Sequence, residues 1–64
     1  MAKFEIYRDE SGEYRWRFRT DNNEIVATGE GYPCKDDCEH AIQLLKDQVP
    51  LATVINGTRP TLGR

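Results

Sequence analysis

From Lys3 to Tyr7 apolar and polar side chains alternate, with Phe4 and Ile6 on one side and Lys3, Glu5 and Tyr7 on the other. This period of two predicts a first strand over residues 3 to 8. The alternation returns more strictly in Tyr14-Arg15-Trp16-Arg17-Phe18-Arg19, which sets three rings on one face of a second strand and three guanidinium groups on the other. Asp9-Glu10-Ser11-Gly12 lies between them and is rich in turn formers. With Glu10, Ser11 and Gly12 as a three-residue loop and Gly12 in the left-handed position, Asp9 faces Glu13, Ile6 faces Trp16 and Phe4 faces Phe18. The opposite face then pairs Tyr7 with Arg15, Glu5 with Arg17 and Lys3 with Arg19.

Asn22-Asn23 follows, and asparagine tolerates positive φ, so a tight primed turn is expected to lead into a third strand over residues 24 to 28 with Ile25 and Ala27 pointing inward. After Gly29-Glu30-Gly31-Tyr32-Pro33 the period changes to about 3.6. Cys38, Ala41, Ile42, Leu45 and Val49 share one face of a predicted helix over residues 35 to 48. Cys34 stands at its N-cap, Asp37 sits at N3 where the helix dipole favours a carboxylate, and Pro50 marks its end. Leu51-Ala52-Thr53-Val54-Ile55-Asn56 is apolar and β-branched, which predicts a fourth strand, whereas residues 57 to 64 carry breakers and no period and read as a flexible tail. The expected fold is α+β, three antiparallel strands, one helix and a C-terminal strand (βββαβ), with residues 1 to 56 as one folded unit.

The chain has 64 residues. A domain of that size buries only about 60% of its unfolded surface and usually needs a disulfide framework, a metal or a second subunit. Two cysteines close at most one bridge, so self-association is the expected support. Nine basic against eleven acidic residues give a net charge of -2, which excludes binding of nucleic acid by bulk charge and makes any anion site local. The first residues contain no apolar signal core, and no stretch approaches the roughly 20 apolar residues of a membrane span, so a cytoplasmic chain with reduced thiols and no membrane partner is expected.

Lys3-Phe4-Glu5-Ile6-Tyr7, Gly12-Glu13-Tyr14-Arg15-Trp16-Arg17, Gly29-Glu30-Gly31-Tyr32, and Lys35 opening a helix that ends near Lys46 together resemble the YegP-like family, a small domain family of unknown function. The resemblance spans residues 3 to about 56. It implies two units, either tandem repeats or two subunits, that form one sheet by exchanging their C-terminal strands. This chain holds one unit, so the resemblance implies a strand-swapped homodimer. Cys34 stands where the family pattern has Ser, Cys38 where it has Ala, and Asn23 where it has Gly. No catalytic residue is carried over by the resemblance.

Arg15, Arg17 and Arg19, with Tyr7 on the same face, form the candidate binding surface, because guanidinium groups grip phosphate bidentately and a tyrosine ring offers a stacking platform. The alternative is a solvated outer face neutralised by Glu5 and Glu24 across the strands. Trp16, Tyr14 and Phe18 face the helix and belong to the core. Cys34 and Cys38 lie one helical turn apart, but His40 projects about 200° around the helix from Cys38, so no metal site is expected. Instead, Cys38 reads as a small core residue with both thiols free. Gly29-Glu30-Gly31 lacks the third glycine and the preceding buried strand of a phosphate loop and reads as a turn. His40 is the only imidazole and has no nucleophile or carboxylate placed beside it by local spacing, so neither catalysis nor a cofactor is expected. The sequence therefore supports a non-enzymatic homodimeric binding or interaction module. The alternative function is weak single-stranded nucleic-acid binding through the Arg15, Arg17 and Arg19 face.

Overall fold

The computed structural model describes residues 1–58. Its elements are β1 (Lys3–Arg8), β2 (Tyr14–Arg19), β3 (Ile25–Thr28) and α1 (Lys35–Gln48), followed by a 3-10 turn over Val49–Leu51. The three strands form one antiparallel sheet in the order β1-β2-β3, with β2 in the centre. The first hairpin has the register that alternation predicts, Phe4 opposite Phe18, Ile6 opposite Trp16 and Tyr7 opposite Arg15. Gly12 closes it at φ +85°, with its N–H donating to the Asp9 carbonyl at 3.0 Å and the Asp9 N–H donating to the Glu13 carbonyl at 2.9 Å.

The second hairpin corrects the expectation of a primed turn. Both primed types need positive φ at the first central residue, here Asn22, and instead it is Asn23 that is left-handed, at φ +68°. The Asn23 N–H donates to the Thr20 carbonyl at 2.8 Å and the Thr20 N–H to the Glu24 carbonyl at 2.9 Å. These bonds repeat the three-residue loop of the first hairpin, with Asn23 in the role of Gly12. A bulge then offsets β3: Ala27 stays opposite Phe18, but Ile25 falls opposite Arg19. One extra residue reverses the facing of everything before it. Ile25 is accordingly 47% exposed rather than inward.

Helix α1 lies across β1 and β2 and does not reach β3. Its first turn carries Asp36 and Asp37, which complement the dipole, and Cys34 occupies the N-cap with extended backbone but gives no side-chain capping bond. The apolar stripe of the helix seats Cys38 fully buried against the sheet, while Ala41, Ile42 and Leu45 are half-buried. Across from them Phe4 meets Trp16 edge-on at 5.6 Å between ring centroids and Phe18 at 5.0 Å. Beyond β3 the chain continues along β2, where the Gly29 N–H donates to the Trp16 carbonyl and Tyr14 and Tyr32 exchange both backbone bonds at 2.8 Å. Gly29 is therefore more than a turn residue: a Cβ there would overlap Nε1 of the Trp16 indole, and only glycine lets the backbone pass.

Among the described residues only Trp16 and Cys38 count as buried apolar side chains. Two open apolar clefts flank the helix. One, of about 770 Å³, is lined by Trp16, Tyr32, Leu44, Leu45, Val49 and Leu51. The other, of about 310 Å³, lies among Phe4, Phe18, Ala27, Leu45, Val49 and Pro50. Ala52 to Thr58 leave the body without helix or strand, and Leu51, Val54 and Ile55 are 84%, 93% and 85% exposed. Most of the expected tail, residues 59 to 64, lies outside the described residues.

Gly29→Ala forces the indole and the β3 exit apart, so it should destabilise by about 1–3 kcal/mol, as overpacking does. Gly31→Ala meets first the carboxylate end of the Glu13 side chain, which can swing aside, and should cost less. Urea unfolding followed by Trp16 fluorescence checks both; equal stability of the two variants would refute the indole contact.

Candidate binding face

Period-two alternation on β1 and β2 carries Lys3, Glu5, Tyr7 and Asp9 to the outer face of the sheet beside Arg15, Arg17 and Arg19. The four residues singled out from the sequence, Tyr7, Arg15, Arg17 and Arg19, thus come together on one surface. Arg17 and Arg19 both turn their Nε toward one Glu5 oxygen, Oε1, at 2.7 Å each. Lys3 Nζ stands 3.7 Å from the other oxygen, Oε2. The like-charge pair of Lys3 and Arg19 is relieved because each has Glu5 to turn to. Arg19 also donates from Nη1 to the Asn23 carbonyl at 3.0 Å. The Arg17 guanidinium lies over the Tyr7 ring, 4.7 Å from its centroid, a cation–π contact that leaves the ring flanked by charge.

Arg15 has a partner that the opposed register does not supply. Its Nε donates to Asp9 Oδ2 at 2.6 Å, and its Nη1 to the Gly29 carbonyl at 3.3 Å. Asp9 also organises the hairpin tip, because Oδ1 accepts from the Ser11 N–H at 2.9 Å, the Ser11 hydroxyl at 2.6 Å and the Glu13 N–H at 3.0 Å. The signal was present in the sequence as the diagonal neighbour: Asp9 faces Glu13, and the next outward residue on that strand is Arg15. Among the described residues the ion pairs of this face run through Glu5 and Asp9 and none involves Glu24.

These contacts set the protonation of the face. Hydrogen bonds from Arg19 and then Arg17 hold the Glu5 carboxyl at about 2, down from 4.5. Asp9 is held well below the usual carboxylate range by the Ser11 hydroxyl first and by Arg15 next. Arg15 is pushed up in turn by its bond to Asp9. Lys3 and the three arginines face Glu5 and Asp9 in ion pairs, and Glu13 acts on Arg15 from the same side, so the positive excess of the face is small. The surface can attract an anion by its field, yet every arginine Nε on it already serves a carboxylate.

Elsewhere the chemistry is sparse. Cys34 is exposed and Cys38 buried, both as free thiols, and burial pushes the Cys38 thiol up, away from nucleophilic form. His40 lies on the exposed side of α1. Among the described residues no three His, Cys, Asp or Glu side chains gather into a group that could hold a metal, and no helix is long and apolar enough to cross a membrane. Arg8 stacks on Tyr14 at 5.1 Å, a second cation–π pair, on the inner face.

The chain is similar to known proteins. Residues 9–56 match the model of a domain of unknown function, DUF1508. A UPF0339 protein of Neisseria meningitidis serogroup B is 60% identical over 43 residues, covering 67% of this chain and 77% of that protein. A UPF0339 protein of Methanosarcina acetivorans is 44% identical over 55 residues, covering 86% and 95%. Among solved structures, the solution structure of a protein from Haloferax volcanii superposes with a TM-score of 0.80 at 40% identity, covering 88% of this chain and 95% of that one. A protein from Agrobacterium tumefaciens gives 0.76 at 43%, covering 88% and 90%.

Because Glu5 titrates lower when folded than when unfolded, its contribution to stability is complete above 4.5 and is lost as pH falls toward about 2. Acid unfolding of the wild-type chain should steepen across that window, and Glu5→Gln should flatten it there. Superimposable acid-unfolding curves for the two proteins would show that the Arg17–Glu5–Arg19 cluster does not persist in solution.

Proposed function

This chain belongs to the DUF1508 family, whose UPF0339 members are YegP-like proteins of unknown function, and on that premise we propose that it acts as a non-enzymatic homodimeric interaction module. In this reading the segment from Ala52 to Asn56 becomes the fourth strand, in the sheet of a second copy. The observation that carries it is the C-terminal arm: Val54 and Ile55 stand 93% and 85% exposed beside a sheet with open edges and a core in which, among the described residues, only Trp16 and Cys38 are buried apolar side chains. Burying one such side chain contributes about 1.5–3 kcal/mol. A reciprocal exchange places each arm as a strand in the one sheet that the two copies share, closes the symmetry and covers exposed strand edges. Two free thiols, one of them sealed in the core, suit the reducing cytoplasm.

A second reading, contact with single-stranded nucleic acid, rests on the small positive excess beside Tyr7. In the proposed dimer that excess is doubled. Affinity of this kind falls steeply with salt through counterion release.

Light scattering on the purified chain should give twice the chain mass. Truncation after Val49 should yield an aggregated or unfolded product, whereas removal of residues 57 to 64 should change little; a stable folded monomer from the first truncation overturns the assembly. For the second reading, Arg15→Glu with Arg17→Glu should abolish the amide shifts that a short single-stranded RNA induces at Tyr7 and Arg15 to Arg19, at unchanged dimer mass. A spectrum silent to RNA at low salt removes that reading.

A further inference from the structure

The arm ends in the chain's single Asn-Gly pair, Asn56-Gly57. We propose that Asn56 is a site of spontaneous deamidation in the native protein, needing only water as co-reactant, and that arm exchange restrains it. The second clause rests on the dimer proposed above.

The reaction needs the backbone nitrogen of the following residue to reach the asparagine Cγ. Asn56 and Gly57 are exposed and lie outside helix and strand. An added Cβ at Gly57 would have no neighbour within 4 Å beyond the adjoining residues, so no other part of the described chain crowds this peptide. The Thr58 N–H donates to Asn56 Oδ1 at 2.9 Å. That bond curls the carboxamide over the Gly57 peptide and draws electrons from Cγ. Among the described residues the Gly57 N–H makes no hydrogen bond, so it is free to lose its proton.

The other two asparagines make the contrast. The nitrogen following Asn22 is that of Asn23, which is tied to the Thr20 carbonyl at 2.8 Å. The nitrogen following Asn23 is that of Glu24, which donates to Thr20 Oγ1 at 3.3 Å. Both would have to break hairpin bonds to attack, and both carry a side chain that crowds the ring.

In the proposed step the Gly57 N–H gives its proton to hydroxide, the nitrogen bonds to Cγ, and the Cγ–Nδ2 bond breaks as ammonia leaves with a proton from solvent. The succinimide then takes up water. Opening at the Cγ–N bond gives aspartate, and opening at the original backbone carbonyl gives isoaspartate, in which the chain runs through Cβ and Cγ. Water enters and ammonia leaves, with no change of oxidation state. Either product adds a carboxylate at the end of the arm. Isoaspartate also lengthens the backbone there, which ends the alternation a strand needs. An arm held in a partner's sheet is fixed in extended form and cannot close the ring, so the exchanged dimer reacts only through its undocked fraction.

The test incubates the full chain at mildly alkaline pH, once below and once far above the dimer dissociation constant, with light scattering on the same samples and peptide mass mapping as the readout. Asn56 should convert in the dilute sample while Asn22 and Asn23 stay intact, and Gly57→Ala should slow it. The concentrated sample should convert roughly tenfold more slowly, since mass action removes free arms. A native dilute chain that keeps Asn56 intact while the urea-unfolded chain converts overturns the site. Equal rates with a dimer present in the concentrated sample overturn the restraint and leave the site standing. A monomer at both concentrations overturns the dimer itself.

Discussion

Trp16 is the side chain on which the other elements converge. It sits at the centre of β2, meets Phe4 from β1, lies beneath Leu45 of α1 at the junction of both clefts, and excludes any side chain from Gly29. In so small a chain a single large ring supplies much of the apolar area that can be sealed from water. The path from β3 into α1 is fixed by the same contact, because the backbone must cross the indole edge before Tyr32 can pair with Tyr14. The helix, in turn, finds its place by closing Cys38 over the same aromatic face.

The opposite face of the same strand obeys different physics. Three guanidinium groups on one side of a six-residue strand repel one another, and the fold answers with two carboxylates on β1 and its turn. Glu5 bridges Arg17 and Arg19, and Asp9 holds Arg15 while it ties the hairpin tip. The face is therefore an ordered charge lattice with a small positive excess. Its arginines are held in place by one edge of each guanidinium, which limits how many new bonds an incoming anion gains and leaves field attraction as the main resource.

What the single chain leaves uncovered is apolar. β3 is short, bulged and beyond the reach of α1, the two clefts beside the helix are open, and the arm after Leu51 carries Val54 and Ile55 into solvent. Bulges and short edge strands are the usual protections of an open sheet edge. They account for β3. They do not account for the arm, whose β-branched residues suit a strand and pair with none among the described residues, and this is what gives the proposed exchange its physical motive.

Local pattern was enough for much of this molecule. Alternation specified β1 and β2, their facing and their pairing, since a period of two admits one register once Gly12 closes the loop. The helix limits at Lys35 and Gln48 were equally legible, from the apolar stripe and the breakers on either side. So were the four residues of the outer face, because facing follows from register alone. The tertiary structure decided the rest. Asn23 adopts the three-residue loop, and the bulge that follows turns Ile25 outward, because pairing to β2 is settled by backbone bonds and not by the hydrophobicity of one residue. Arg15 takes Asp9, and Arg19 shares Glu5, because diagonal reach across twisted strands depends on side-chain length and position, which a paired register does not encode. Gly29 looked like a flexible turn residue and proves to be a packing constraint, since the atom it must avoid belongs to a ring thirteen residues earlier in the chain.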